Sequence, residues 1–358
     1  MTRPIRVEIN LSAIKHNYQL SRQKAGNRPA FAVVKANAYG HGILQVAEAL
    51  SGTADGFATL NIEDALALRK AGIRQPLTML EGPFDKQETL LMAAHGIAGA
   101  IHSEHQLAWL ADGHFGSTHF EAWLKVNSGM NRLGFQPRQV RLVAQQLRNM
   151  DGVKLTTVMT HFATADDARG VEDQWNRFAP VAAETGLAIS AANSAAVFDH
   201  PETHGDRTRP GIVLYGCSPF EGKTGRDLGL IPAMTLSADI IAVQHLQPGD
   251  NIGYGNRFTA DRPMRVGIIA CGYADGYPRI VPNGTPVSIG GERSGTVGRV
   301  SMDMLAVDLT HLPAAGLGST VELWGPNVPL ETVAAAVGTL SYELMCGVTL
   351  RVPKVYLD

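Results

Sequence analysis

A lysine follows a short apolar run in the segment FAVVKANAYGHG, which covers residues 31–42. If the run is a buried strand, Lys35 lies at its carboxyl end, where a lysine is rarely buried without a partner. Burial lowers the pKa of a lysine amine, and the uncharged amine can form a Schiff base with a carbonyl compound. The alternative is a strand-end lysine that extends its ammonium group to water. Tyr39, in the same segment, could hydrogen-bond an anion.

Four further groups of polar residues follow later apolar runs, at what would be the ends of the fifth to eighth strands of the same sheet. They are Lys125 and Arg132, then His161, then Asn193 and Ser194, and finally Arg209 with the backbone amides of Gly211 and Ile212. A single histidine or serine is more often structural, but five groups at one rim of a sheet favour function. Amides and a hydroxyl after the seventh and eighth strands are typical of the phosphate site of a barrel enzyme. A reactive lysine beside a phosphate site indicates pyridoxal phosphate as cofactor.

The elements that would position these residues alternate between apolar strands and amphipathic helices. Seven apolar runs are followed by a less apolar eighth segment: 31–34, 56–60, 76–80, 96–101, 120–126, 155–162, 187–193 and 206–216. Their spacing suits strand–helix units with parallel neighbours and predicts a TIM-type (β/α)8 barrel. A doubly wound open sheet is the alternative, although no G-x-G-x-x-G turn follows the first run.

After about residue 230 the pattern changes to apolar runs separated by the turns QPGD, PNGT, GGERSG and LPAAGLGST. This predicts a C-terminal, mainly β domain, in which helices return only near 330–338 and 341–347. We therefore expect residues 8–229 to form the barrel and residues 230–358 to form the β domain, with residues 1–7 joining the β domain.

The composition is that of a globular, nearly neutral chain. Its 358 residues include 31 Lys and Arg against 33 Asp and Glu, and the resulting net charge of −2 argues against a nucleic-acid partner. No apolar run has the roughly 18 residues of a membrane span, and the first residues lack the apolar core of a signal peptide. The three cysteines form no C-x-x-C pair, so neither a disulfide framework nor a metal site is expected. The sequence predicts a cytoplasmic protein.

Beyond these patterns, the chain resembles bacterial alanine racemase, a pyridoxal-phosphate enzyme of fold type III. The matching segments keep the family's order along nearly the whole chain: VVKANAYGHG, WLKVNSGMNRLGF, THFA, NSA, RPGIVLYG, IGYGNRF, CGYADGYPR, VGRVSMDM and SYELMCG. The resemblance implies a homodimer with active sites completed across the dimer. It also implies interconversion of L-alanine and D-alanine, for peptidoglycan synthesis or for alanine catabolism.

The resemblance assigns roles to the residues of the cofactor site. Lys35 would carry pyridoxal phosphate as a Schiff base and act as the base on D-alanine, whereas Tyr254 of the partner subunit would act on L-alanine. Two bases are needed because one group cannot reach both faces of a planar carbon. The implied cofactor contacts are Tyr39, Ser194, Gly211 and Ile212 at the phosphate, Asn193 beside them, Arg209 at the pyridine nitrogen, and His161 as the neighbour of Tyr254.

On the substrate side, the resemblance assigns the carboxylate of alanine to Arg132 and to the backbone of Met302, with Asp303 beside them. Tyr273 and Arg299 match positions that line the access corridor and support the substrate site. Lys125 would be carbamylated, as in many members of the family, and would then brace Arg132.

Two departures from the family pattern and three alternatives accompany this interpretation. Leu350 stands where some members have a tyrosine that touches the phosphate, and Ser301 stands where cysteine is frequent. A racemase of broader substrate range is one alternative. A fold-type-III amino-acid decarboxylase is another, although it would place an acidic residue where this chain has Arg209. A non-enzymatic pyridoxal-phosphate carrier is the third, but such proteins are single barrels.

Overall fold

The computed structural model describes residues 3–358, which form two compact units. The barrel unit contains residues 15–214 and 219–222, and the β unit contains residues 3–14, 215–218 and 223–358. The described chain begins with strand β1 (Ile5–Asn10), which belongs to the β unit, and continues into helix α1 (Leu11–Lys24). Within residues 3–358, no helix has the length and apolar character needed to cross a lipid bilayer.

Seven strands of the barrel unit pair in parallel, in the order in which they occur along the chain. They are β2 (Phe31–Val33), β3 (Gly56–Thr59), β4 (Leu77–Met79), β5 (Ile97–Ile101), β6 (Phe120–Lys125), β7 (Val153–Met159) and β8 (Ala188–Ser190). Every residue of β3 and β5 is buried, as expected for strands that are covered on both faces. Each strand falls on one of the predicted apolar runs.

The eighth segment closes the sheet without forming a strand of its own. Ala30 forms a parallel bridge with Thr208. The N–H of Phe31 donates to the carbonyl of Thr208 at 2.8 Å, and the N–H of Val33 donates to the carbonyl of Pro210 at 3.0 Å. The curled parallel sheet confirms the predicted barrel, and it brings the carboxyl ends of its strands to one rim.

The helices of the barrel unit follow the strands in turn: α2 (Lys35–Tyr39), α3 (Ile43–Leu50), α4 (Ile62–Lys70), α5 (Lys86–Ala94), α6 (Glu104–Ala111), α7 (Val140–Arg148), α8 (Glu172–Thr185) and α9 (Ser194–Asp199). Helix α7 shows why these segments are helical. Its buried residues Val140, Val143, Ala144 and Leu147 recur with helical spacing, so one apolar face packs inward and the polar residues face water. The segment called α2 is an exception, because most of it is left-handed.

The β unit is built on a sheet of eight strands in the order β12-β15-β14-β13-β16-β9-β1-β17. Because β9 also pairs with β12, six of these strands close into a ring. The remaining elements of this unit are β9 (Met234–Leu246), β10 (Asn251–Ile252), β11 (Phe258–Thr259), β12 (Met264–Ile269), β13 (Pro286–Ile289), β14 (Glu292–Val297), β15 (Leu305–Asp308), β16 (Thr320–Trp324), α10 (Leu330–Ala336), α11 (Ser341–Gly347) and β17 (Lys354–Leu357). The predicted mainly β domain and its two late helices are confirmed.

One expected turn is shorter than predicted. The segment GGERSG was expected to be a turn throughout, but only Gly290 and Gly291 have positive φ, of 60° and 87°. Strand β14 begins at the next residue and pairs with β13. Its first two residues are exposed, so polar side chains occupy a strand there without loss of burial.

Candidate functional site

Lys35 lies at the carboxyl end of β2, at the start of a left-handed turn. Residues 36–39 all have positive φ, between 51° and 54°. This conformation costs an L-amino acid roughly 1–2 kcal/mol per residue, because Cβ approaches the following carbonyl oxygen. Backbone strain of this kind is concentrated at functional sites, where the surrounding structure holds it in place. The turn leaves the Lys35 side chain half-buried.

Hydrogen bonds around the turn explain how the strained backbone is held. The side-chain oxygen of Asn37 accepts from the N–H of Ile43 at 2.9 Å, and the carbonyl of Asn37 accepts from the N–H of Gly42 at 2.9 Å. The buried ring of His41 donates through Nδ1 toward the carbonyls of Ala38 and Tyr39, each at 3.0 Å. Asn37 therefore links the turn to the start of α3, and His41 bonds back to the last two residues of the turn.

Hydroxyl and amide groups gather around Gly211, where the eighth segment passes the start of α9. The N–H of Gly211 donates to Oγ of Ser194 at 2.8 Å, so the Ser194 proton is free to point elsewhere. A Cβ at Gly211 would lie 2.8 Å from the hydroxyl of buried Tyr39, so only glycine leaves this space open. Ile212 follows at the start of a 3-10 turn. These groups form a cradle of donors suited to a phosphate.

Asn193 has a local role beside this cradle. It occupies the N-cap of α9, and its side-chain oxygen accepts from the N–H of Ala196 at 3.1 Å. This cap fixes the position of Ser194, the first residue of the helix.

Arg209 is buried, and its guanidinium is held by three neighbouring groups. It donates to the hydroxyl of Ser190, to the carbonyl of Thr160 at 2.6 Å and to the carbonyl of Ala191 at 3.1 Å. Burial lowers its pKa to about 10, so it stays positively charged at neutral pH. The three bonds leave two of the five guanidinium N–H donors for another partner.

Lys125 and His161 are further groups of the same rim, and both lie in a field of positive charge. Burial, followed by the charges of Arg209 and Arg132, lowers the pKa of Lys125 to about 8. Burial and then Arg209, Lys125, Arg132 and Lys35 lower the pKa of His161 well below its ordinary value. The ammonium of Lys125 donates to the carbonyl of Leu80 at 3.0 Å. Five residues predicted from four separate segments, Lys35, Lys125, Arg132, His161 and Arg209, are thus brought together.

Arg132 belongs to a loop that follows β6 and is closed at its base. The N–H of Phe135 donates to the carbonyl of Lys125, and the N–H of Asn127 donates to the carbonyl of Phe135, both at 2.9 Å. The exposed Arg132 lines a small cavity together with Lys125 and His161. Its position makes it available to an anionic group of a substrate.

Tyr254 and Arg299 belong to the β unit and lie on neighbouring segments. Tyr254 is 70% exposed, lies between Gly253 and Gly255, and is the first residue of a short turn. A Cβ on Gly253 would lie 3.3 Å from the backbone nitrogen of Arg299, so the two segments approach closely. The nearby charge of Arg257 lowers the pKa of Arg299. A large exposed tyrosine is available to a neighbouring molecule.

Met302, Asp303 and Tyr273 also lie in the β unit, on two segments that hydrogen-bond to each other. The N–H of Tyr273 donates to the carbonyl of Ser301 at 3.1 Å, and the N–H of Ala274 donates to the carbonyl of Met302 at 3.0 Å. Met302 is 53% exposed. Within residues 3–358, no hydrogen bond occupies the N–H of Met302. This amide is available to a carboxylate.

Sequence reasoning missed Asp275 at this turn and the two arginines that pair with it, Arg3 and Arg351. Asp275 is completely buried and forms ion pairs with Arg3 and Arg351. Asp275 lies in the quoted segment CGYADGYPR, but an aspartate between glycines reads as an ordinary turn residue. The two arginines lie near opposite ends of the chain and carry no local motif.

The residues of the barrel rim fit pyridoxal phosphate. The space over Gly211, the hydroxyls of Tyr39 and Ser194, and the positive charges suit a phosphate. Lys35 supplies an amine for the aldehyde, and Arg209 retains free donors. Leu350 is 92% exposed and belongs to the β unit.

Two family models match the chain. Residues 9–219 match the alanine racemase N-terminal domain, and residues 233–356 match the alanine racemase C-terminal domain. Together they cover most of the chain.

Relatives and solved structures agree with the family models. The chain is 50% identical over 355 residues to an alanine racemase of Laribacter hongkongensis, covering 99% of both chains. It is 48% identical to a catabolic alanine racemase of Klebsiella aerogenes, covering 100% of both. The biosynthetic alanine racemase of Pseudomonas aeruginosa superposes with a TM-score of 0.96 at 44% identity, covering 100% of both chains. The alanine racemase of Bartonella henselae with covalently bound pyridoxal phosphate gives a TM-score of 0.89 at 29% identity, covering 99% of both.

Proposed function

The chain belongs to the alanine racemase family, whose members are pyridoxal-phosphate-dependent isomerases, and on that premise we propose how its own residues interconvert L-alanine and D-alanine. The observation that carries the proposal is the convergence of Lys35, Lys125, His161 and Arg209 at one rim of the barrel. Beside them lies the phosphate cradle around Gly211.

The cofactor-binding roles follow from the donors at the rim. Bound pyridoxal phosphate withdraws electrons from the Cα of an attached amino acid and so makes its Cα–H acidic. Tyr39, Ser194 and the amides of Gly211 and Ile212 would hold the phosphate, and Asn193 keeps Ser194 in place through the helix cap. Lys35 provides the amine to which the cofactor is attached.

Arg209 would hold the pyridine nitrogen of the cofactor through one of the guanidinium N–H groups that its protein partners leave unused. Its guanidinium is positively charged at neutral pH and is fixed by three hydrogen bonds. A fixed positive charge there would disfavour protonation of the ring nitrogen, and an unprotonated ring would accept less negative charge. We propose that this restricts the enzyme to proton exchange at Cα, because decarboxylation and transamination need a stronger electron sink.

Two bases move the proton on opposite faces of Cα. The Lys35 amine removes or returns the proton on the D-alanine face, and the hydroxyl of the partner subunit's Tyr254 does so on the L-alanine face. In the proposed dimer His161 would lie beside that tyrosine, and it is uncharged at neutral pH because burial and the neighbouring cations lower its pKa. An uncharged imidazole can accept a hydrogen bond from the tyrosine.

The carboxylate of alanine is held by Arg132 and by the N–H of the partner subunit's Met302. The pKa of Lys125, lowered to about 8, leaves a larger fraction of its amine uncharged at neutral pH than an ordinary lysine has, and the uncharged amine is the form that reacts with carbon dioxide. The resulting carbamate would convert a cation into an anion and brace Arg132. Carbon-13 NMR of protein equilibrated with labelled bicarbonate should show a carbamate signal that is absent in Lys125→Met.

We propose a homodimer in which each β unit supplies residues to the other subunit. The exposed side chains of Tyr254 and Met302 support this arrangement, and so do Asp303, Tyr273 and Arg299 around them. The barrel unit would then supply Lys35, and the β unit of the partner would supply Tyr254 and Met302.

The proposed cellular role is the supply or the breakdown of D-alanine in the cytoplasm. The cysteines Cys217, Cys271 and Cys346 form no disulfide, which supports a cytoplasmic location. There the enzyme supplies D-alanine for peptidoglycan or serves alanine catabolism. Restored growth of a D-alanine-requiring host by the wild type, and not by Lys35→Ala, tests the supply of D-alanine.

Replacing Lys35 tests the cofactor attachment. Lys35→Ala should lose both the visible absorbance of the bound cofactor and the racemisation of alanine. Lys70→Ala, at the exposed end of α4, is the matched control and should keep both. Full racemisation by Lys35→Ala would contradict the proposal.

Solvent-deuterium exchange tests the two bases separately. Tyr254→Phe should lose exchange that begins from L-alanine while keeping part of the exchange from D-alanine. Tyr356→Phe, on β17, is the control. Unchanged exchange from L-alanine in Tyr254→Phe would show that another group acts on that face.

Mixing two inactive variants tests the shared site. Hybrid dimers of Lys35→Ala with Tyr254→Phe contain one site with both native bases, so activity should reappear after subunit exchange. No recovery, although mixed dimers are present, would contradict the proposal that Tyr254 comes from the partner.

A further inference from the structure

A buried carboxylate in the β unit is held by arginines from opposite ends of the chain. The side chain of Asp275 has no exposed surface. Its Oδ1 accepts from Arg3 at 2.8 Å and from Arg351 at 2.7 Å, and its Oδ2 accepts from the N–H of Gly272 at 2.9 Å. Burial by itself raises the pKa of Asp275, but the hydrogen bonds from Arg351 and Arg3 lower it overall. The group is therefore an ionised carboxylate at neutral pH.

The same arginines also reach the turn that contains Met302. Arg3 donates to the carbonyl of Asp303 at 2.6 Å, and Arg351 donates to the side chain of Asp303 at 2.7 Å. Both arginines thus bridge Asp275 to Asp303. Two cations and two carboxylates alternate in this network, so the charge is balanced.

The two residues before Asp275, Tyr273 and Ala274, are bonded through their backbone N–H groups to the same turn. They donate to the carbonyls of Ser301 and Met302, at 3.1 Å and 3.0 Å. The fit is close, because a Cβ on Gly272 would lie 2.4 Å from both carbonyl oxygens. The peptide planes around Met302 are therefore fixed from one side, while the N–H of Met302 is left without a partner within residues 3–358.

We propose that Asp275, with Arg3 and Arg351, is a positioning network that sets the direction of the Met302 N–H and thereby determines how tightly the enzyme recognises the carboxylate of its amino-acid substrate. This inference rests on the proposed function of Met302. A network that served folding alone would not need two arginines that both also donate hydrogen bonds to Asp303. Displacement of a positioned donor by about 1 Å can cost up to about 100-fold in rate or binding.

The experiment compares Arg351→Met, Arg351→Lys and Asp275→Asn as holoenzymes. Arg351→Met should raise KM for both alanine enantiomers about 10-fold or more and leave kcat within about 3-fold, because it weakens a contact made to bound substrate throughout. Arg351→Lys should recover part of the loss. Propionate, which has the carboxylate but no amine, should inhibit Arg351→Met correspondingly more weakly.

The control is Arg262→Met, which removes an arginine that pairs with Asp261 and Asp308 elsewhere in the β unit. It should leave KM and propionate inhibition unchanged. Thermal unfolding and cofactor absorbance show which variants are folded and loaded. If Asp275→Asn does not fold, Arg351→Met still carries the test, because the Arg351 side chain is 40% exposed.

Folded Arg351→Met and Asp275→Asn with wild-type KM and wild-type propionate inhibition would overturn the inference. A proportional fall in kcat with unchanged KM would also overturn it, because the network would then act on the reaction and not on carboxylate recognition. Failure of the wild type to racemise alanine would instead refute the proposed function. Propionate binding by the same variants distinguishes the two failures.

Discussion

Replacing Ala36 by glycine is expected to stabilise the barrel unit, although the same replacement destabilises an ordinary helix. Ala36 has φ 52° and ψ 50°, in the left-handed region, and its side chain is exposed. Glycine adopts this conformation without steric cost and would relieve roughly 1–2 kcal/mol. The greater conformational freedom of glycine stabilises the unfolded chain and offsets about 0.5–1 kcal/mol of that gain. The net effect is a stabilisation of about 0.5–1 kcal/mol.

Ala108→Gly is the matched control in the same unit. Ala108 is also exposed, but it lies within the right-handed helix α6, where glycine costs about 1 kcal/mol relative to alanine. The two variants should therefore differ by about 1.5–2 kcal/mol in the free energy of unfolding. For a unit of this size the difference corresponds to about 3–8 °C in Tm.

Thermal and urea unfolding, followed by circular dichroism, measure both variants against the wild type. Ala36→Gly should unfold at a higher temperature than the wild type, and Ala108→Gly at a lower one. If Ala36→Gly were destabilised as much as Ala108→Gly, the left-handed turn would not store the strain that its backbone angles imply.

Three further predictions concern the barrel rim. In protein kept free of carbon dioxide, the Lys125 amine is not carbamylated and its pKa is lowered from 10.5 to about 8 by folding, so the unfolded chain binds more protons between these pH values. The free energy of unfolding, measured with urea at pH 7.5 and 10, should therefore rise with pH in the wild type but not in Lys125→Met. Arg209→Gln removes a cation that lowers the pKa of His161, so an NMR titration of that ring should show its pKa moving toward 6.5. An unchanged pKa would show that the charge of Arg209 does not contribute to the shift. Gly211→Ala places a Cβ 2.8 Å from the Tyr39 hydroxyl and should weaken binding of pyridoxal phosphate to the apoprotein about 10-fold, whereas Gly52→Ala, with no atom within 4 Å of its Cβ, should not.

Much of the architecture could be predicted from local patterns. The strands of the barrel coincide with apolar runs, because a strand covered on both faces must be apolar along its length. The polar residues that follow those runs were correctly expected at one rim, since parallel strands end on the same side. The eighth segment was the weakest prediction, because its pairing with Ala30 depends on closure of the sheet and not on its own composition.

The left-handed turn after Lys35 could not be predicted from its residues. Alanine favours the right-handed helix, so the two alanines of KANAYG give no local sign of a left-handed turn. Only the surrounding hydrogen bonds, such as those of Asn37 with Ile43 and Gly42, hold residues 36–39 at positive φ. Similarly, the first half of GGERSG identifies a turn, whereas its second half becomes a strand because β13 is available as a partner.

By itself, the sequence determined the alternation of strands and helices, the placement of Lys35, Lys125 and His161 after strand ends, and the family to which the chain belongs. These features depend on residues that are close in sequence, whose spacing decides which face of a helix or strand is buried. Only the tertiary structure decided the shifted pKa of Lys125 and the pairing of Asp275 with Arg3 and Arg351, which lie 272 and 76 residues from it along the chain. Such properties depend on burial and on charges brought close by folding, and no local pattern of residues contains them.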